Sequence, residues 1–158
     1  MIGPLYAAIL GSSAALATTT TTLTFKEPER GSTLAYVDVA PTAPKVDGFP
    51  ISISPGDQII FTNSVTEGGK AIGKLRARCT ATTAVGKITE AAFAQAHFIC
   101  EGVYTLPGGS LYVNGTFLKS GTEGVVTGGT RKYAGDRGMF VAKNAKHGTE
   151  TTITLLSD

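Results

Sequence analysis

Tryptophan is absent from the 158-residue sequence, and cysteine and histidine occur only twice each. Charged residues make up 16% of the chain, and the formal net charge is only +2. Binding to nucleic acid or to an anionic membrane needs a concentrated basic surface, so we expect neither partner. Two histidines without nearby carboxylates do not make a zinc site, and we expect no metal and no cofactor.

Common catalytic and phosphate-binding motifs are also missing. The sequence contains no G-x-S-x-G nucleophile motif, no P-loop and no G-x-G-x-x-G loop. A nucleophilic pair of Cys79 and His97 would need both side chains on one face of a sheet, and strand alternation places them on opposite faces. The residues alone therefore define no catalytic constellation.

Glycine and threonine are abundant instead, with 20 glycines in the chain. Hydrophobic residues make up 42%, which is enough for one folded domain with a substantial core. Leu, Glu and Lys rarely recur at helical spacing, so the composition favours β-structure with many turns.

Alternation of apolar and polar residues predicts roughly eight β-strands and almost no helix. The predicted strands cover residues 23–25, 34–39, 58–64, 72–83, 93–106, 111–119, 124–127, 139–143 and 149–156. Residues 23–25 look like an edge strand, residues 27–32 like a turn, and Gly128-Gly129 like a sharp corner. We predict an all-β, eight-stranded antiparallel up-and-down barrel, with a β-sandwich as the alternative. Such a barrel can hold one small apolar ligand.

The same alternation assigns side chains to faces of the strands. Phe61 and Asn63 share one face, and Asn63 either caps the next turn or lines a pocket, because a buried amide must be hydrogen-bonded. The predicted apolar face of the fifth strand carries Phe98, Cys100 and Tyr104. Lys74, Arg76 and Arg78 lie on the outer, solvated face of the fourth strand.

Cys79 and Cys100 both point to the apolar side of their strands. A disulfide between them depends on the register of the two strands, which the sequence does not fix. In an exported protein the two cysteines could pair, whereas inside a cell they would be buried thiols.

Two further segments stand apart from the strands. Residues 41–57 contain four prolines and predict a long irregular loop or lid. Residues 1–17 are small and apolar and include Ala15-Leu16-Ala17, which has the form of a signal-peptidase site. We predict a signal peptide over 1–17, one barrel domain over 18–158 and a secreted protein; an apolar arm packed on the domain is the alternative.

Four patches resemble the allene oxide cyclase barrel family. Residues 126–138 read V-T-G-G-T-x-x-Y-A-G-x-x-G, which resembles the late-barrel signature shared by allene oxide cyclases and dirigent proteins. Residues 29–32 resemble the cyclases' early D-R-G-S-P, residues 60–63 their P-F-S-N, and residues 73–79 their G-x-x-x-G-L-C strand. The order and spacing of the four patches match the family.

This resemblance implies a calycin-like barrel of allene oxide cyclase type, whose lumen binds a hydrophobic small molecule. Such a barrel steers cyclisation or isomerisation by positioning the substrate, without a cofactor. The resemblance implies catalytic roles for Asn63 and Ser32, as polar groups that hold a water, and for Cys79 near the substrate. The predicted lumen lining is Thr24, Thr33, Phe61, Phe98, Cys100 and Tyr104.

Two positions depart from the family pattern. Thr33 replaces the proline after R-G-S, and the carboxylate that assists epoxide opening falls, by spacing back from Arg30, on Thr24. Glu27 would face the opposite way from Thr24 in a regular strand. The alternatives are therefore a non-catalytic lipocalin-like carrier or dirigent-like guide, and a structural domain with a filled lumen. Because plant relatives form oligomers, a homo-oligomer is a further expectation.

Overall fold

The structure is a computed structural model that describes residues 19–46, 49–87, 95–118 and 121–157. The strands in this part of the chain are β1 (Thr19–Pro28), β2 (Thr33–Val37), β3 (Lys45–Val46), β4 (Phe49–Pro50), β5 (Gln58–Glu67), β6 (Lys70–Ala81), β7 (Phe98–Leu106), β8 (Gly109–Leu118), β9 (Gly121–Gly129), β10 (Arg137–Ala145) and β11 (Gly148–Ser157). A short 3-10 helix covers Arg131–Tyr133. The predicted signal peptide lies outside the described residues.

Eight strands close into an antiparallel barrel, in the order β1-β11-β10-β9-β8-β7-β6-β5. Lys26 of β1 pairs with Thr66 of β5 and completes the ring. Farther along β5, the neighbouring strand is β2 instead of β1, and β2 runs in the same direction as β1. The structure confirms the predicted all-β barrel, in which closure removes the exposed sheet edges.

β1 differs from the prediction in length and position. It begins at Thr19, ends at Pro28 and pairs along its whole length with β11. Residues 23–25, predicted as an edge strand, pair with β11 on one side, and β1 meets β5 only at the pair Lys26–Thr66. The turn predicted from Glu27 also begins later, since β1 continues through Glu27, and Pro28 is tolerated at the strand's end.

The corner predicted at Gly128-Gly129 is formed by the residues that follow. Both glycines belong to β9, and the 3-10 helix and Gly135, with φ 87°, reverse the chain. Only glycine fits at position 129 without a steric clash, because a Cβ there would lie 2.4 Å from the carbonyl oxygen of Tyr133. The turn buries the Tyr133 ring, whose hydroxyl donates to the carbonyl oxygen of Pro107 over 3.2 Å.

Side chains fill one half of the barrel lumen. We call the other half the mouth; it lies at the end where β5, β7, β9 and β11 begin. The filled half contains Phe25, Val65, Leu106, Leu111, Val126, Tyr133, Ile153 and Leu155. At the mouth, Ile53 of the 41–57 loop is 2% exposed and packs in a cluster with Phe98 and both cysteines. In its described part, the predicted irregular loop contains only two short strands, β3 and β4, which pair antiparallel.

Asp57 anchors the 41–57 loop to β2. Its fully buried carboxylate accepts hydrogen bonds from the Tyr36 hydroxyl over 2.7 Å, the Ser54 N–H over 2.7 Å and the Val39 N–H over 2.9 Å. Burial acts to raise the pKa of Asp57, but these three donors favour the charged form and hold the pKa below its ordinary value. The loop is therefore fixed at its base.

Candidate functional site

A cavity of about 430 Å³ occupies the mouth half of the lumen. Its walls are mainly apolar, because each barrel strand turns its alternate, hydrophobic side chains inward. The walls include Ile59, Phe61, Leu75, Ala77, Phe98, Val113, Phe117, Phe140 and Ala142. Leu34, Tyr36 and Pro50 line it from β2 and the 41–57 loop. The volume lies in the range of small-molecule sites, which span roughly 300–1,000 Å³.

The inner end of this cavity holds the carboxylate of Glu27, which is 4% exposed. Its Oε1 accepts hydrogen bonds from the Tyr104 hydroxyl over 2.9 Å and from the Thr151 hydroxyl over 2.7 Å. Its Oε2 accepts from the Nδ2 amide of Asn63 over 2.9 Å. Three donors on one carboxyl group suit an ionised carboxylate, which can only accept.

The alternation of β1 explains why Glu27 points inward. Phe25 and Glu27 are buried, whereas Thr24 and Lys26, which alternate with them along the strand, are exposed on the outer face. The predicted place of Thr24 in the lumen was therefore wrong, and the lumen does contain a carboxylate. Leu23 and Phe25 alternate with polar residues, and continuing this alternation by two residues places Glu27 on the same inward face. This pattern is the sequence signal that would have indicated Glu27.

The surroundings of Tyr104 in this site shift its pKa. Its hydroxyl lies in the interior beside the Glu27 carboxylate, and the residue is 1% exposed. Burial, together with the nearby negative charge of Glu27, holds the pKa of Tyr104 well above its ordinary value. Tyr104 therefore stays a neutral hydrogen-bond donor over the physiological range.

Six of the residues predicted to form the site line the cavity: Asn63, Cys79, Phe61, Phe98, Cys100 and Tyr104. Ser32 and Thr33 do not reach it. The Ser32 side chain is exposed, and its hydroxyl donates to the Pro28 carbonyl over 3.2 Å, in the turn between β1 and β2. Thr33 is exposed on the outward face of β2, whose neighbours Leu34 and Tyr36 point inward.

The two cysteines form a disulfide across β6 and β7. The register pairs Cys79 directly with Cys100, with their Cα atoms 4.0 Å apart. Both residues line the cavity in the mouth half of the lumen. Cys79, for which the family resemblance implies a place near the substrate, is thus bonded to Cys100 as the sequence analysis allowed.

Within the described ranges, no group of three or more His, Cys, Asp or Glu residues could hold a metal ion. No helix in this part of the chain is long and apolar enough to cross a membrane.

Comparison with known proteins identifies the fold. No protein-family model and no curated protein sequence matches the chain. Among solved structures, pyocyanin demethylase matches with a TM-score of 0.61 and 20% identity, over 85% of this chain and 99% of the other. The Diels Alderase AbmU from Streptomyces koyangensis matches with a TM-score of 0.56 and 15% identity, over 89% and 69%.

A nonspecific heme-binding cyclase of neoabyssomicin biosynthesis matches with a TM-score of 0.55 and 13% identity, over 91% of this chain and 66% of the other. At such identities the likeness shows the fold alone. The chain is thus similar in fold to barrel proteins of several chemistries, and none of these three is an allene oxide cyclase or a dirigent protein by name.

Proposed function

We propose that this barrel binds a hydrophobic small molecule in its lumen and steers the cyclisation or isomerisation of that molecule by positioning it. The observation that carries the proposal is the carboxylate of Glu27, held by three donors at the inner end of an apolar cavity of about 430 Å³. A purely structural core would not need a buried charge, which costs free energy unless it is well bonded.

The apolar wall supplies the positioning. A flexible substrate that is folded against rigid strands loses its conformational freedom on binding, before the reaction begins. Phe61, Phe98 and Phe140 present large, fixed surfaces for this purpose. Because the strands are tied to their neighbours on both sides, the shape of the cavity is set by the barrel itself.

Glu27 supplies the electrostatic part of the mechanism. Its negative charge stabilises positive charge that develops in the transition state as electrons shift in the substrate. Tyr104, Thr151 and Asn63 act as positioning residues, because their hydrogen bonds fix the carboxylate before the substrate arrives. The carboxylate therefore needs little reorganisation during the reaction.

The catalytic mode proposed here is allene-oxide-cyclase-like in that positioning dominates. Two of the similar structures are named as a Diels Alderase and a cyclase, which supports ring closure as a chemistry that this fold can host. A third is named as a demethylase, so the fold does not select the reaction by itself. The site in this chain, and Glu27 above all, is the reason to propose cyclisation or isomerisation.

The test is native mass spectrometry of the protein from its own host, followed by extraction and identification of any bound molecule. We expect a bound hydrophobic compound, and we expect the wild type to convert its precursor faster than Glu27→Gln. A compound that binds but is never converted would favour the alternative, a lipocalin-like carrier or dirigent-like guide. Recovery of ligand-free protein that takes up no apolar probe would contradict both. The same spectrum tests the predicted homo-oligomer.

We also propose that the protein is exported. The disulfide between Cys79 and Cys100 supports export, because such bonds persist mainly in oxidising compartments. Fractionation of host cells, with the protein followed by antibody, tests the proposal: we expect the protein outside the cytoplasm, and a purely cytoplasmic location would contradict it.

A further inference from the structure

The inner end of the cavity offers a ligand more acceptors than donors. A carboxylate has about four lone-pair sites, and three of those on Glu27 are occupied by Tyr104, Thr151 and Asn63. Two of these donors bond to Oε1, so the spare capacity is on Oε2. Because Asn63 donates through its Nδ2, its Oδ1 is a second acceptor, and no described residue donates to it.

The described lining of the cavity places a negative charge, Glu27, at its inner end with no positive charge to balance it. Among the described residues that line it, none is Lys, Arg or His, and Glu27 has no ion-pair partner in the described chain. Lys26 is adjacent in β1, but it is exposed on the outer face. The ion pair of Arg78 and Glu101 is likewise on the outside of the barrel.

A ligand must complement this arrangement. A second negative charge beside Glu27 would meet repulsion in a poorly solvated space, and it would find few donors there. A protonated nitrogen would neutralise the buried charge and donate to Oε2 in a charge-assisted hydrogen bond. The apolar walls require that the remainder of the ligand be hydrophobic.

We infer that the natural ligand is a hydrophobic molecule with a protonated N–H group at its buried end, and that carboxylic acids, including fatty acids, are excluded from the inner end of the lumen. This inference rests on the proposed function, because it presumes that the lumen binds a small molecule. The inference specifies the class of substrate, and it distinguishes this lumen from one that accepts fatty-acid derivatives.

Three probes of nearly equal shape test this inference in calorimetric titrations of the full-length wild type: naphthylmethylamine, naphthoate and methylnaphthalene. They differ in carrying a positive charge, a negative charge or no charge. Since a charge-assisted hydrogen bond is worth more than a neutral one, we expect the amine to bind at least about tenfold more tightly than the acid. The neutral hydrocarbon should fall between the two.

A matched pair of variants locates the effect. Glu27→Gln removes the buried charge while keeping the shape of the side chain, and we expect about a tenfold loss of amine affinity with little change for methylnaphthalene. Glu150→Gln removes an exposed carboxylate from the outer face of β11, opposite Lys26 in the register, and should leave all three affinities unchanged. The comparison on the wild type needs no variant, so it stands even if Glu27→Gln folds poorly.

The outcomes separate the two proposals. If methylnaphthalene binds but the acid binds as tightly as the amine, the inference about ligand charge is overturned and the binding function stands. If none of the three probes binds, both are overturned. If the amine preference survives Glu27→Gln, the assignment of the charge to Glu27 is wrong.

Discussion

Tyr104 and Glu27 are 77 residues apart in the sequence, and the Tyr104 hydroxyl donates to Glu27 Oε1 over 2.9 Å inside the barrel. The two residues lie on β7 and β1, which are not neighbours in the sheet. Their hydrogen bond therefore crosses the lumen and ties opposite walls together. The bond also holds the Glu27 carboxylate at the inner end of the apolar cavity, and the proposed function depends on that carboxylate.

Replacing Tyr104 with Phe removes one of the three donors to the buried carboxylate. We expect the free energy of unfolding to fall by about 1–3 kcal/mol, the usual cost when a buried polar group loses its partner. Urea unfolding followed by circular dichroism measures the change. Tyr112→Phe is the control, because Tyr112 is 43% exposed, and it should change stability by less than about 0.5 kcal/mol.

Alkaline stability tests the pKa of Tyr104. Because this pKa is raised in the folded protein, the folded state keeps the phenolic proton after the unfolded chain has lost it. The contribution of Tyr104 is fully present below about pH 10 and is lost as the pH rises above that value. Wild type should therefore lose stability above about pH 10 more steeply than Tyr104→Phe. Parallel curves for the two proteins would contradict the shift.

The disulfide should contribute substantially to stability. Cys79 and Cys100 are 21 residues apart, and closing a loop of this length stabilises by about 3 kcal/mol in the chain-entropy model. The double variant Cys79→Ser/Cys100→Ser should lose about that amount in urea unfolding. Thiol titration of the native wild type should find no free thiol, and two reactive thiols would refute the bond.

Asp57 should make the 41–57 loop sensitive to acid. Its pKa is lowered in the folded state, so its contribution is present above the ordinary range near pH 4 and is lost as the pH falls through the folded-state value. Asp57→Asn should destabilise the protein by about 2 kcal/mol at neutral pH, because an amide cannot accept all three donors. It should also flatten the acid side of the stability curve, and an unchanged acid side would contradict the assignment.

The fold could be predicted from the sequence because local alternation contains the information. Period-two patterns assigned Phe61, Asn63 and Cys79 to inward faces without knowledge of their partners. The closure of β1 against β5 could not be predicted in this way. It depends on pairing between distant segments, here Lys26 with Thr66, which no local pattern encodes.

The residues that were wrongly predicted to line the site, Thr24, Ser32 and Thr33, lie in β1, in the turn that follows it and at the start of β2. Counting back from Arg30 by family spacing reached Thr24, but inward direction is decided by parity within β1, where Phe25 is already buried. A shift of one residue moves every side chain to the other face. Glu27 was therefore missed, although it occupies the same face as Phe25. Its three donors come from three other strands, which the sequence alone does not bring together.

Filling the lumen tests the central claim most directly. Ala77 lines the cavity, and Ala77→Phe places an aromatic ring in the space that a ligand would occupy. Ala35→Phe adds the same ring on the outward face of β2 and serves as the control. We expect the native mass spectrum of Ala77→Phe to lose the bound small molecule, while wild type and Ala35→Phe retain it. Retention of the molecule by a correctly folded Ala77→Phe would contradict binding in the lumen.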